Sequence, residues 1–238
     1  MKEKHTPDWL QEILDHGFSP KEIHDDFKES FFGHIEADSD AIVKMPKAKM
    51  YVLEGLPGAG KTTMLHEFAK NKNIATVPQI LPFEPHAGQT VGHDFYQRSD
   101  LLKTDRWRKT KHSHLVLDRY YLSTLAFTWA YDKMHDTASY PSMFRWYKEA
   151  LSNHLLIRPY KVFYIEVPLR LSLIRKERKP DLGSGDIWSN SEFLENFDRY
   201  YHYFYKEVEP GTKVVKLSGE LPFDDLYETV KQEIVSGK

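Results

Sequence analysis

Gly55, Gly60, Lys61 and Thr62 stand at the spacing G-x-x-x-x-G-K-[ST], inside the stretch Gly55-Leu-Pro57-Gly58-Ala59-Gly60-Lys61-Thr62-Thr63. That combination does one kind of chemistry, holding a polyphosphate. Glycines let the backbone curl until successive N–H groups face one concavity, which suits an anion. Lys61 brings a point charge to the β- and γ-phosphates, and the Thr62 hydroxyl suits the Mg2+ that travels with them. Residues 55 and 57–63 therefore form the expected binding loop for a nucleoside triphosphate such as ATP. An apolar run from Met50 to Leu53 precedes the loop and reads as a buried parallel strand. Thr62 to Lys70 follows with helical spacing, so a helix N-terminus also faces the anion.

A second chemical stretch is His114-Leu-Val-Leu-Asp118-Arg119-Tyr-Tyr121. Leu115 to Leu117 reads as a strand that ends at Asp118. From a carboxyl strand end, an acid reaches the metal or its water shell beside the phosphate loop. Arg119 suits a two-pronged contact to phosphate. Glu84 lies in a turn-rich segment after a predicted strand at Ile74–Val77, where it reads as a general base for an acceptor hydroxyl or as a solvated loop acid. Arg175 and Arg178 close a helix that follows strand Lys161–Val167 and Pro168. Next to the glycine-bearing segment Asp181–Trp188 they read as an arginine-bearing lid, or as a basic helix end that complements its own dipole. Phe127, Trp129, Tyr131, Phe144, Trp146 and Tyr147 have the spacing of core positions, or of a slot for a flat base.

These residues need a scaffold, and alternating strand and helix patterns supply one. Strands near 50–53, 74–77, 115–117, 161–167 and 213–217 are separated by helical stretches, which predicts an α/β fold with a parallel sheet and helices on both faces. The basic run 103–111 reads as a solvated helix face. Residues 1–47 read as an appended helical hairpin and linker, with start signals at Thr6-Pro7-Asp8 and Ser19-Pro20-Lys21-Glu22. Residues 48–238 form the catalytic domain of this reading.

The 238 residues carry 40% hydrophobic and 29% charged side chains and a net charge of −2, which gives no reason to expect nucleic acid as a partner. There is no cysteine, so disulfides and thiolate metal sites are excluded. The first residues lack the apolar stretch of a signal peptide, and no apolar run is long enough to span a bilayer. With a triphosphate loop, the expectation is a cytoplasmic protein without a membrane partner.

G-L-P-G-A-G-K-T-T, Glu84-Pro85 after the second strand, D-R-Y-Y-L-S-T-L-A-F from Asp118, and the spacing of Arg175 and Arg178 together resemble the thymidylate kinase and deoxynucleoside kinase group of P-loop phosphotransferases. The resemblance runs from Met50 to the carboxyl end. It implies a five-stranded parallel core with a mobile lid, Mg2+-ATP as donor, and a role in nucleotide biosynthesis. It also implies that Asp118 and Arg119 serve metal and phosphate, that Glu84 sits near the acceptor, and that Arg175 and Arg178 close on ATP. Asp-Arg-Tyr rather than Glu-Arg-Ser favours a thymidylate-like monophosphate as acceptor. A deoxynucleoside, or a nucleic-acid end or modified base, is the alternative. The group is often dimeric, which leaves a homodimer open. A GTP-dependent switch is disfavoured, because no Asn-Lys-x-Asp element appears and Asp118-Arg-Tyr-Tyr replaces Asp-x-x-Gly.

Overall fold

A computed structural model describes residues 48–79, 93–177, 187–205 and 212–236. The predicted hairpin and linker at 1–47, Glu84 and Arg178 lie outside the described residues. Five strands, β1 (Lys49–Gly55), β2 (Ile74–Val77), β3 (His114–Asp118), β4 (Lys161–Glu166) and β5 (Val214–Ser218), form one sheet in the order β2-β3-β1-β4-β5. Every pairing is parallel. Among the described residues the α-helices are α1 (Lys61–Ala69), α2 (His93–Lys109), α3 (Tyr121–His135), α4 (Tyr140–Ser152), α5 (Leu169–Glu177), α6 (Ser191–Tyr203) and α7 (Phe223–Ser236).

Position in the sheet follows strand composition. β1 reads Met-Tyr-Val-Leu through its middle and is buried from Met50 onward, as a strand covered on both faces must be. β5 sits at an edge and carries Lys216, with no residue fully buried. Along α7, Leu226, Val230 and Ile234 recur every four residues, and all three are buried. That stripe is worth about 2 kcal/mol per side chain in apolar area removed from water. α3 and α6 share an aromatic seam in which Phe127 meets Phe193 and Trp129 meets Tyr200, and α4 joins it through the Tyr140 hydroxyl, 2.6 Å from that of Tyr200. Among the described residues no helix is long and apolar enough to cross a membrane.

The register aligns the chemical residues. Leu53 on β1 is level with Asp118 on β3, so both strands deliver their loops to the same edge. Open parallel sheets bind ligands at that carboxyl edge. Gly55 closes β1 at φ +135°, and a Cβ there would lie 2.3 Å from the Ile165 carbonyl oxygen on β4. Only a residue without a side chain lets β1 turn this close to β4. Gly55→Ala is therefore expected to cost about 3 kcal/mol or more through strain and overpacking, read as a lower midpoint in urea unfolding. An unchanged midpoint would mean that the β1–β4 approach is not fixed at this end.

Candidate active site

The phosphate loop leaves β1 at Gly55 and enters α1 at Lys61. Gly60 is the residue before the helix, at φ +88°, and nothing lies within 4 Å of where its Cβ would be. It is glycine for the backbone angle, and the space beside it is open. Gly58 is restricted differently, because its Cβ would meet Arg175 Cβ at 2.9 Å. The predicted loop residues Gly55, Pro57, Gly58, Ala59, Gly60, Lys61, Thr62 and Thr63 are thus together. A cavity of about 260 Å³ is lined by Gly58, Gly60, Lys61, Thr62, Arg175 and Trp188, among others.

Lys61 is 5% exposed, and its Nζ donates to the carbonyls of Gly55 at 3.0 Å and Leu56 at 2.8 Å. Burial, with the nearby Arg119 charge, lowers its pKa to about 7, against the pull of Asp118 and Glu54. The Thr62 hydroxyl donates to Asp118 Oδ2 at 2.7 Å, and Asp118 Oδ1 is buried without a partner. An orphaned carboxylate oxygen beside a threonine hydroxyl at the mouth of a phosphate loop fits Mg2+, which takes one or two protein oxygens and fills its shell with phosphate and water. Among the described residues there is no cluster of three or more acids or histidines that would hold a metal alone.

Arg119 follows Asp118 with φ +61°, a left-handed backbone that costs a residue with a Cβ about 1 kcal/mol. The turn is held by β1: Arg119 N donates to the Leu53 carbonyl at 3.0 Å, and Tyr120 N donates to Glu54 Oε1 at 3.1 Å. Arg119 Nη1 donates to Ser123 Oγ at 3.1 Å and to the Tyr201 hydroxyl at 3.4 Å, whereas its buried Nε has no partner. Trp188 and Phe197 lie 5.6 and 5.5 Å from the guanidinium carbon. That distance supports a cation–π contact and leaves the guanidinium edge open.

A larger cavity of about 690 Å³ adjoins the first and shares Thr62, Gln79, Arg119 and Trp188 with it. Its remaining wall includes Phe95, Tyr96, Ser99, Asp100, Lys103 and Phe127. Asp100 is fully buried; Thr124 and Tyr147 donate to its Oδ2 at 3.2 and 2.7 Å, and Lys103 Nζ lies 3.8 Å from Oδ1. Burial outweighs those partners and lifts the Asp100 pKa to about 6. Lys103 Nζ also donates to the Arg119 carbonyl at 2.9 Å, so it braces the same turn from α2.

Of the predicted aromatic slot only Phe127 lines this chamber. Trp146 and Tyr147 are buried, and Trp129, Tyr131 and Phe144 pack against other rings. Those positions are core, as helical spacing usually implies. Arg175 is beside the loop as expected, with Nη1 donating to the carbonyls of Gly219 at 2.9 Å and Gly58 at 3.3 Å. Lys103 corrects the reading of 103–111 as a solvated face, since it is 2% exposed. Its signal was available: Asp100, Lys103, Thr104 and Trp107 recur at helical spacing, one buried face of α2. Glu54, Ser123, Tyr201 and Trp188 were not singled out by the sequence. For Glu54 the signal was an acid continuing an apolar strand.

No protein-family model matches the chain, and no curated protein does. Solved structures share its fold. A deoxyadenosine kinase from M. mycoides with the products dCMP and a flexible dCDP bound superposes with a TM-score of 0.59 at 17% identity, over 79% of this chain and 100% of that one. The same kinase with dATP gives 0.59 at 17%, and with dCTP 0.58 at 16%, each over 79% of this chain and 99% of that one. At this identity the likeness is one of fold: a P-loop α/β sheet of the deoxynucleoside kinase kind.

The lowered pKa of Lys61 has a sign that can be checked. Its folded value of about 7 lies below 10.5, so the unfolded chain binds the proton more tightly between them. Stability therefore rises with pH across that window, and the full cost is felt below pH 7. Lys61→Met is expected to be more stable than the parent at pH 7 by on the order of a few kcal/mol, with the gain shrinking toward pH 10. Pyrophosphate binding at pH 8 should take up about one proton in the parent and none in the variant, by calorimetry in buffers of different ionisation enthalpy. A gain independent of pH would refute the assignment.

Proposed function

We propose that the chain is a kinase that transfers the terminal phosphoryl group of ATP to the 5′-hydroxyl of a deoxynucleoside. The observation that carries this reading is the pair of joined cavities with Arg119 lining both, its buried Nε without a partner. Charge supports a nucleoside over a monophosphate as acceptor. Among the described residues the larger chamber has Lys103 and Arg119 as its cations, matched by Asp100 and Asp118. Lys103 is occupied by the Asp118–Arg119 turn and Asp100. A neutral acceptor is matched by such a wall, and a dianionic one is not. The similarity in fold to a deoxyadenosine kinase adds to this reading.

In transfer, the loop N–H groups and Lys61 hold the β- and γ-phosphates. The Nε edge of Arg119 meets the charge that spreads over the moving phosphoryl oxygens. Thr62 and Asp118 would hold Mg2+, which when bound neutralises charge on the β- and γ-oxygens. A bond forms between the acceptor 5′-oxygen and the γ-phosphorus as the β–γ bridging oxygen leaves, and the hydroxyl proton passes to a carboxylate, for which we assign Glu84. Arg175, tied to the carbonyls of Gly58 and Gly219, holds the outer wall of the donor site, and Arg178 is assigned to the same cationic rim.

Asp118-Arg119-Tyr120 favours a second reading, a thymidylate-like monophosphate as acceptor, with Arg119 on the acceptor phosphate. ADP release from Mg2+-ATP over a panel of deoxynucleosides, deoxynucleoside monophosphates and a short oligonucleotide separates the two. Stimulation by nucleosides is expected, with Lys61→Ala and Asp118→Asn each lowering kcat by about 100-fold or more. Stimulation by monophosphates alone would install the second reading. ATP binding without any responsive acceptor would overturn both.

A further inference from the structure

We infer that Glu54, Ser123 and Tyr201 form a hydrogen-bonded relay that aims the guanidinium of Arg119, and that they are positioning residues for phosphoryl transfer. This rests on the kinase reading above for its catalytic consequence. The relay itself stands on geometry.

Glu54 is the last side chain of β1 before the loop and is fully buried. Its Oε2 accepts from the Ser123 hydroxyl at 2.5 Å and from the Tyr201 hydroxyl at 2.7 Å, and Oε1 accepts from Tyr120 N. Ser123 Oγ and the Tyr201 hydroxyl are 2.7 Å apart, and both accept from Arg119 Nη1. Each hydroxyl has one hydrogen. With both hydroxyls donating to Glu54 Oε2, neither proton lies between the two oxygens, and their lone pairs face Arg119. The carboxylate thus sets the polarity of two hydroxyls that could otherwise donate or accept. The charge pair of Glu54 and Arg119 is made through them rather than directly.

The consequence is which edge of the guanidinium remains. Nη1 is taken, so the edge formed by Nε and Nη2 is the one left for a ligand; Nε is buried and unpartnered, and Arg119 lines both cavities. That edge makes the parallel two-pronged contact to a phosphoryl group. Rotating the group to present Nη1 instead would break both hydroxyl contacts. The relay joins three elements, β1, α3 and α6, and Tyr201 reaches it from α6 across 82 residues of chain. A salt bridge at the surface would hold Arg119 less firmly, because both partners would be solvated and free to rotate.

The test is a double-mutant cycle. Tyr201→Phe keeps the ring and deletes one acceptor, and is expected to lower kcat about tenfold while the KM values for ATP and acceptor move less than about threefold. Glu54→Gln keeps the shape but sets an amide NH2 either against both hydroxyls, turning their hydrogens toward Arg119, or against the Tyr120 N–H, so kcat should fall further, about 100-fold. In an Arg119→Lys background Tyr201→Phe is expected to add nothing, since lysine offers no Nη1. Multiplying effects would overturn the relay, as would Tyr201→Phe lowering the melting temperature with kcat intact. Should Glu54→Gln fail to fold, Ser123→Ala takes its place, with the same loss of Tyr201 coupling to Arg119. Pyrophosphate affinity, measured by calorimetry on the same variants, needs no acceptor. Coupling of Tyr201 to Arg119 in that affinity is expected even where no acceptor is phosphorylated, and independence there overturns the relay whatever becomes of the kinase reading.

Discussion

Burying six ionisable side chains at the carboxyl ends of two adjacent strands is the constraint on which the rest of this molecule depends. Glu54, Asp100 and Asp118 are the acids, and Lys61, Lys103 and Arg119 the bases, each nine-tenths or more out of water. A lone charge in such a place costs several kcal/mol, and only close partners make the burial tolerable. The partners are fixed by the sheet. Because Leu53 and Asp118 are level, Leu53 O and Glu54 Oε1 grip the two peptide N–H groups that follow Asp118. Lys103 takes the carbonyls of the same turn from α2. The turn is thereby saturated on its inner side and leaves Asp118 Oδ1 and Arg119 Nε as the groups without partners.

Those orphans are informative because everything around them is satisfied. A buried acceptor and a buried donor left open in a dense network amount to stored affinity for a ligand that brings the opposite polarity, a cation for one and an anionic oxygen for the other. Asp118 lines the larger cavity, and Arg119 lines both. Lys61 is in a related position, folded back on its own loop carbonyls with its charge disfavoured by burial. An incoming polyphosphate would exchange those carbonyls for a full negative charge. The unliganded site is thus poised rather than relaxed, and its instability is local to the groups that meet phosphate.

How much of this was legible in the sequence depended on whether a residue's role is local. The phosphate loop, the strand ending at Asp118 and the stripe Leu226, Val230 and Ile234 are set by neighbours a few positions away, and their elements came out within a few residues of the structure. The parallel sheet followed from the alternation of strands and helices, and its five-stranded form from the family resemblance. The relay did not, because Glu54, Ser123 and Tyr201 are separated by 69 and 78 positions and meet only when the sheet and α6 are in place. Lys103 was misread for a related reason. A lysine heading a basic run looks solvated until the partner carbonyls of a distant turn are known. The aromatic positions of α3 and α4 kept their ordinary meaning, with Phe127 the exception that faces the chamber.

The balance of charges also bears on what the larger chamber accepts. Hydrogen bonds from Thr124 and Tyr147 and the nearby Lys103 ammonium leave Asp100 little free capacity, and Asp118 is engaged by Thr62 on one oxygen. The chamber wall, among the described residues, also carries the buried Ser99 hydroxyl, which has no partner, and the rings of Tyr96 and Phe127. A flat, neutral solute with a few polar edges is complementary to such a wall, since stacking and one or two hydrogen bonds give orientation without demanding a counter-charge. Among the described residues, Lys103 and the Nη1 side of Arg119 are already engaged and are not free to meet a second phosphate. On the proposed reading, phosphate recognition is concentrated at the loop and Arg119, and the chamber beyond is left to shape and polarity.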